Sequence, residues 1–320
     1  MNYLVTGGLG FIGSNFVRLA LKDKENRVTN LDKVTYAANP KSLSDVEKNK
    51  NYTFVKGDIC DKETVKKAMK DVDVVVHFAA ESHVDRSLAD FSPFIQTNIT
   101  GTTVMLNEAL NSNAKLFVQI STDEVYGQIL DGFFSEKSLL QPRNPYSASK
   151  AAAEMFVNAF KETYGLPTII TRSSNNYGPY QFPEKVIPLF VTNLLEGKKV
   201  PLYGEGKQIR EWIYVEDNCE GIMTAINKGK KGEIYNVSSG EELRNIDLTK
   251  KILAEMNFGE EMIQRVEDRK GHDFRYALDS SKVMSLGWKP KYNFESGLKK
   301  TVEWYKKNES WWKPLKGGKQ

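Results

Sequence analysis

Apolar residues in the first half of this chain fall into short blocks separated by longer stretches of helical spacing. Tyr3–Thr6 is one such block, closed by Gly7-Gly8. Phe11–Leu21 sets Phe11, Ile12, Phe16, Val17, Leu19 and Ala20 at helical intervals. Arg27–Asp32 and Tyr52–Lys56 read as strands, and Asp61–Met69 as a helix opened by an acidic cap. Val72–Phe78 contains the unbroken run Val74-Val75-Val76, which suits a strand buried on both faces. Lys115–Ser121 is a further strand, Tyr146–Tyr164 a long helix and Thr168–Arg172 another strand. Strands alternating with helices predict an α/β fold, a doubly wound parallel sheet covered on both faces.

Past residue 173 the pattern loosens. Asn175–Phe182, rich in Asn, Tyr, Gly and Pro, reads as an irregular loop. Val186–Leu195 is a helix that stops before Gly197, and Leu202–Gly206 and Gln208–Val215 are short strand-like pieces. Asn218–Asn227 and Glu233–Val237 suit a helix and a strand that return to the main sheet. The expected division is a sheet domain over 1–173, rejoined by about 216–238, and a smaller mixed α/β lobe from 174–215 and 239–320.

Composition narrows the function classes. Of 320 residues, 40% are hydrophobic and 27% charged, with a net charge of only +4. That balance and the absence of a dense basic run argue against nucleic-acid binding. No apolar run approaches the roughly 18 residues a membrane span requires, and the N-terminus reads as a strand and turn, not a signal peptide. A cytoplasmic enzyme is the expectation. Cys60 and Cys219 follow no metal spacing, so no metal is expected. Trp311-Trp312 near the C-terminus reads as a packed aromatic anchor.

Gly7-Gly8-x-Gly10-x-x-Gly13 follows the first strand and opens the first helix. Glycine there permits a tight turn and close approach of a pyrophosphate, and the helix N-terminus offers N–H groups to the anion. Asp32 ends the second strand 19 residues after Gly13, where a carboxylate binds the adenosine ribose hydroxyls. It would repel a 2′-phosphate, so NAD is favoured over NADP. Asp58-Ile59, after the third strand, is placed to border the adenine. These signals make 1–173 a Rossmann-type NAD-binding domain.

Tyr146 and Lys150 stand four residues apart and so share a helix face. A free phenol, with a pKa of about 10, is a poor base at neutral pH. A neighbouring ammonium favours the phenolate, which takes the proton of a sugar hydroxyl as hydride leaves its carbon. Upstream, Ser121-Thr122-Asp123-Glu124 sits where a buried strand runs out. Successive strand residues point to opposite faces, so both carboxylates reach one substrate only if the strand has already turned.

With these motifs the chain resembles the extended short-chain dehydrogenase/reductases that act on nucleotide sugars, and among them the dTDP-glucose 4,6-dehydratases. The matching segments include Gly7–Gly13, Ala79–Ser87, Ser121–Gly127, Tyr146–Lys150, Asn175–Tyr180, Phe182–Lys185, Gln208–Arg210 and Gly271–Asp273. The resemblance implies transient oxidation at C4 of the sugar by bound NAD. Glu124 then removes the C5 proton, Asp123 protonates the departing C6 hydroxyl, and hydride returns to C6. Thr122 donates a hydrogen bond to O4. The same resemblance assigns the cofactor to Gly7, Gly10, Phe11, Ile12, Gly13, Asp32, Lys33, Thr35, Asp58, Ile59, Ala79, Ala80, Ser82, Thr97, Tyr146, Lys150 and Asn176. It assigns the nucleotide sugar to Ser82, Thr122, Asn175, Lys185, Tyr203, Arg210, Asn245 and His272. A homodimer pairing Pro93–Leu110 and Tyr146–Tyr164 is also implied. Ser238-Ser239-Gly240-Glu241-Glu242 departs from the glycine pair and Asn usual before Asn245. The rival readings are a UDP-sugar 4,6-dehydratase, a nucleotide-sugar 4-epimerase that would need no acid at C6, and a non-catalytic NAD-sensing scaffold.

Overall fold

The structure, a computed structural model, describes residues 1–112, 114–268 and 273–317. The strands, in chain order, are β1 (Asn2–Thr6), β2 (Arg27–Asp32), β3 (Tyr52–Lys56), β4 (Val74–His77), β5 (Leu116–Thr122) and β6 (Thr168–Ser173). They continue with β7 (Asn175–Tyr177), β8 (Val200–Tyr203), β9 (Ile209–Tyr214), β10 (Ile234–Val237), β11 (Glu242–Arg244) and β12 (Ile263–Val266). Seven of them form one sheet in the order β10-β6-β5-β4-β1-β2-β3, and every pair in it is parallel. This is the doubly wound α/β sheet expected from the alternation of strands and helices.

The chain leaves β1 toward β2 and β3, then crosses back to place β4 on the other side of β1. Ligands bind at such a reversal, beyond the carboxyl ends of the strands. Each face of the sheet carries its own core. One joins Tyr3, Val5, Val76, Val118 and Ile169 to Phe16 and Val17 of helix Phe11–Ala20 and Ile222 of helix Val215–Lys228. The other joins Leu4, Val75 and Phe117 to Val65, Met105, Leu106 and Val157. A third core, with Phe190, Leu194, Trp212, Leu253, Phe294 and Val302, builds the smaller lobe around a three-stranded sheet, β11-β9-β7.

Three local features differ from the sequence reading. Asn175–Phe182 is not wholly irregular, because Asn175–Tyr177 pairs in parallel with Trp212–Tyr214 of β9. Three residues are too few to show alternation in sequence. The helix expected over Pro93–Leu110 is interrupted. Ser92–Phe94 and Thr102–Asn111 are α-helical, and Ile95–Gly101 between them is a wider π turn. Helix Val84–Ala89, capped by His83, carried no periodic signal in so short a run. Trp311 and Trp312 are buried on helix Glu309–Gly317, Trp312 Nε1 donating to the Tyr305 carbonyl at 2.8 Å. Among the described residues, Cys60 and Cys219 are both free thiols, no group of side chains suits a metal ion, and no helix is long and apolar enough to cross a membrane.

Candidate active site

The glycine turn is built against the end of β4. Gly7 has φ +68°, and a Cβ there would lie 2.7 Å from the Ala79 nitrogen. A Cβ on Gly13 would lie 2.4 Å from the Gly7 carbonyl oxygen. Only bare backbone lets strand, turn and helix close up in this way. Among the described residues no side chain caps the helix that starts at Phe11, so its N-terminal N–H groups face a cavity of about 390 Å³.

At the end of β2, Asp32 accepts from the Leu9 N–H at 2.9 Å and the Val34 N–H at 2.8 Å. Burial pushes its carboxyl above the usual range. Lys33 Nζ lies 2.7 Å from Asp58 Oδ2. All the residues assigned to the cofactor from sequence line this one cavity. A volume of this order suits an organic ligand. The buried Oδ1 of Asn176 has no partner among the described residues and remains as an acceptor for one. A helix N-terminus, a carboxylate and an unpartnered amide oxygen lining one cavity fit NAD.

The residues read from sequence as catalytic line the same cavity. Thr122 ends β5 and caps a 3₁₀ turn, Asp123–Tyr126, accepting from the Glu124 N–H at 3.3 Å. The strand has therefore turned before the acidic pair, and both side chains line the cavity. Asp123 is 2% exposed. Thr122 Oγ1 donates to its Oδ1 at 3.0 Å, and its Oδ2 has no partner among the described residues. Burial, and then the charge of Glu124, push the Asp123 carboxyl up to about 8. It holds a proton at neutral pH, where an ordinary aspartate has none. Glu124 accepts from Asn144 Nδ2 at 3.2 Å.

Tyr146 and Lys150 line the cavity from helix Pro145–Tyr164. The expected depression of the Tyr146 phenol by Lys150 is not what this structure contains. Burial, then Glu124 and Asp123, push the phenol above its ordinary value, against a hydrogen bond with Thr122. Lys150 Nζ is turned to the backbone, donating to the Ile120 carbonyl at 2.7 Å, and burial draws its ammonium down to about 8. Helical spacing put the two side chains on one face, but it did not specify the low-dielectric wall around them.

A second cavity, of about 290 Å³, opens into the smaller lobe. Tyr203, Arg210 and Asn245 line it, and Glu124, Asn175 and Lys185 line both cavities. Ser82 and Thr122 belong to the first. Arg210 is buried on β9. It donates to the carbonyls of Ile209 at 2.7 Å and Asp273 at 2.8 Å, with its guanidinium 4.5 Å from the Tyr276 ring. Lys185 Nζ donates to the Ser82 carbonyl at 3.1 Å. His272 lies outside the described residues.

Sequence reasoning passed over Asn144, Arg143 and Tyr276, which line the second cavity. Asn144 was open to recognition, because Asn-Pro before a helical run is a cap signature. It caps the helix by accepting from the Ser147 N–H at 2.8 Å while also holding Glu124. Arg143, 3.2 Å from Asp273 Oδ1, and Tyr276 carry no local signal.

The sequence profile of the GDP-mannose 4,6 dehydratase family matches residues 4–301. The chain is 50% identical over 305 residues to the low-salt glycan biosynthesis protein Agl12 of Haloferax volcanii, spanning 95% of this chain and 98% of that one. It is 47% identical over 322 residues to the dTDP-glucose 4,6-dehydratase of Streptomyces niveus, spanning 99% and 96%. A crystal structure of DesIV, a dTDP-glucose 4,6-dehydratase from Streptomyces venezuelae with NAD bound, matches with a TM-score of 0.97. Its identity is 47%, over 98% of this chain and 100% of that one. Such matches extend from the first strand to the last helices and bear out the kinship read from the motifs. This chain belongs to the GDP-mannose 4,6 dehydratase family.

Proposed function

We propose that this chain is an NAD-dependent 4,6-dehydratase that converts dTDP-glucose to dTDP-4-keto-6-deoxyglucose. The observation that carries the reading is the Asp123-Glu124 turn. It puts a carboxyl pushed up to about 8 beside a second carboxylate, in a cavity that also holds Tyr146 and Lys150. A carboxyl kept protonated by burial beside a neighbouring acidic side chain suits Asp123 as the acid, and leaves Glu124 the role of base.

NAD, when bound, accepts hydride and returns it, and adds a positively charged ring to the cavity. Gly7, Gly10 and Gly13 make room for it, Asp32 takes the ribose hydroxyls, and Lys150 and Asn176 orient the far end. Tyr146 would take the proton of the C4 hydroxyl as a phenolate, which the positive charge of bound NAD favours against the burial that raises its phenol, while Thr122 holds O4. Glu124, steadied by Asn144, takes the C5 proton made acidic by the C4 ketone. Asp123 gives its proton to the C6 hydroxyl, which leaves as water. The elimination therefore consumes one proton from Asp123 and places one on Glu124. In the lobe cavity Arg210, Lys185, Asn175, Asn245 and Tyr203 hold the nucleotide diphosphate, the guanidinium suiting paired phosphate oxygens. A 4-epimerase has no step that uses an acid at C6, so a buried protonated Asp123 favours dehydration. The dTDP-glucose dehydratases among the full-length relatives favour dTDP over UDP.

The chain works as a cytoplasmic homodimer in this reading. Phe91, Ile95, Met155 and Phe156, on or beside the two helices expected to pair, are exposed apolar residues that a partner subunit would cover. Purified protein incubated with dTDP-glucose and, separately, UDP-glucose, without added NAD, should give the alkaline absorbance of a 4-keto sugar from the dTDP substrate. No keto product from either sugar rejects the dehydratase. Glu124→Gln should still oxidise C4 slowly and fail to lose water.

A further inference from the structure

Glu184 has no part in the proton or hydride transfers above. Yet it lines both cavities and its side chain is only 13% exposed. Three segments far apart in sequence converge on it. Tyr36, from the loop after β2, donates its hydroxyl to Glu184 Oε1 at 3.2 Å. Arg86, from helix Val84–Ala89, places Nε 3.8 Å from Oε2 and lays its guanidinium 3.6 Å above the centre of the Tyr36 ring. His83, which caps that helix, has Nε2 3.8 Å from the same oxygen. Phe182 meets the Tyr36 ring edge-on, with centroids 5.6 Å apart. Next to Glu184, Lys185 reaches back to the Ser82 carbonyl at 3.1 Å.

The residues beside these contacts form the cofactor cavity. Thr35 and Ala37 flank Tyr36 and line it, as do Ser82, Phe182 and Lys185. A tie between Tyr36, Arg86 and Glu184 therefore joins both margins of the cavity to the smaller lobe. The two loops it joins are also held in costly backbone conformations. Val34 has φ +60° and Tyr180 φ +70°. A β-branched residue adopts that region only where its surroundings impose it, and such strain gathers at ligand clamps. The Val34 N–H is held by Asp32 Oδ1 at 2.8 Å. Tyr180 lies between Arg18, 4.0 Å from its ring centre, and Trp304, at 4.6 Å. Both loops are thus braced from behind, and Tyr36 and Glu184 close the gap between them.

The proposed reaction gives this tie a purpose. Hydride taken from C4 is the hydride returned to C6, so a reduced cofactor that escapes in between leaves a stranded keto sugar. We propose that Tyr36, Arg86 and Glu184 form a clasp across the cofactor cavity that retains the nicotinamide cofactor between the two hydride transfers. The purpose rests on the dehydratase reading; the clasp itself rests on the geometry.

The test separates the two. Tyr36→Phe and Glu184→Gln are loaded with radiolabelled NAD, and its release is followed on dilution into unlabelled NAD. Loss of the hydrogen bond in Tyr36→Phe, and of the negative charge facing Arg86 in Glu184→Gln, should speed release roughly tenfold in each variant. During turnover of dTDP-glucose, free NADH should accumulate, and added NAD should restore the rate. Tyr36→Phe keeps the ring against Phe182 and Arg86, so it decides the matter even if Glu184→Gln fails to fold. Release at the wild-type rate from Tyr36→Phe overturns the clasp. If the wild-type protein makes no keto sugar, the dehydratase reading fails, while the release rates still report on the clasp.

Discussion

The two cavities that meet at Glu124 are assembled in opposite ways. Much of the cofactor cavity comes from strand ends and the turns directly after them, so many of its residues fall in short runs: Gly7 and Gly10–Gly13 after β1, Asp32, Lys33 and Thr35 at the end of β2, Asp58-Ile59 after β3, Ala79–Ser82 after β4. The lobe cavity draws on residues 143–144, β8, β9, helix Asn245–Glu255 and residues 273–276, which only packing brings together. A parallel sheet places every strand's carboxyl end on one edge, so short local motifs are enough to make a site there. The smaller lobe has no such edge. Its cavity depends on the β11-β9-β7 sheet and on buried contacts such as Arg210 with the Asp273 carbonyl.

If the comparison holds, substitutions on the sheet edge strike chemistry and those in the lobe strike binding. The largest effect is expected from Tyr146→Phe, which removes the proposed proton acceptor at C4. Initial rates of keto-sugar formation should fall on the order of 10³-fold with NAD still bound. Asp123→Asn should cost on the order of 10²-fold, with oxidation at C4 preserved.

The same residue predicts a pH dependence. Between the ordinary carboxylate range and about 8, the folded protein holds a proton on Asp123 that the unfolded chain has released. Stability from this group is complete below the ordinary value and declines as pH rises through about 8. Activity should fall over the upper part of that window. Urea titrations at several pH values should show Asp123→Asn with a flatter dependence than wild type. A steeper dependence in the variant would refute the assignment.

In the lobe, Arg210→Lys should raise KM about tenfold and leave kcat nearly unchanged, because an ammonium cannot reproduce the guanidinium's paired donors. A fall in kcat of the same size would erase the distinction between the cavities. The smallest effect is expected at the junction. Asn144→Ala removes a helix cap worth about 1 kcal/mol and the contact to Glu124, readable as a lower urea midpoint and a severalfold slower rate.

How legible each feature was follows the same contrast. Arg27–Asp32 and Tyr52–Lys56 are strands with the bounds read from sequence. The capping role of Asp61, whose Oδ1 accepts from the Glu63 N–H at 3.1 Å, was also visible. These depend on neighbours in the chain. β7 escaped notice because its three residues are a strand only by pairing with β9. The π turn at Ile95–Gly101 escaped notice because its apolar spacing resembles that of an α-helix. Within it, Asn98 links Glu81 of the cofactor wall to Ser149 beside Tyr146, at 3.0 and 2.8 Å. Interruptions of this kind often sit at functional sites.

By itself the sequence determined the parallel sheet, the glycine turn, the carboxylate after β2, and the adjacency of two acids followed by Tyr146 and Lys150. Those features rest on residue type and short spacing. Tertiary structure decided which acid keeps its proton, where the Lys150 ammonium points, and that Tyr36 meets Glu184 across 148 residues. Proton affinity is set by burial and by charges brought close in space, and neither property belongs to any local stretch of the chain.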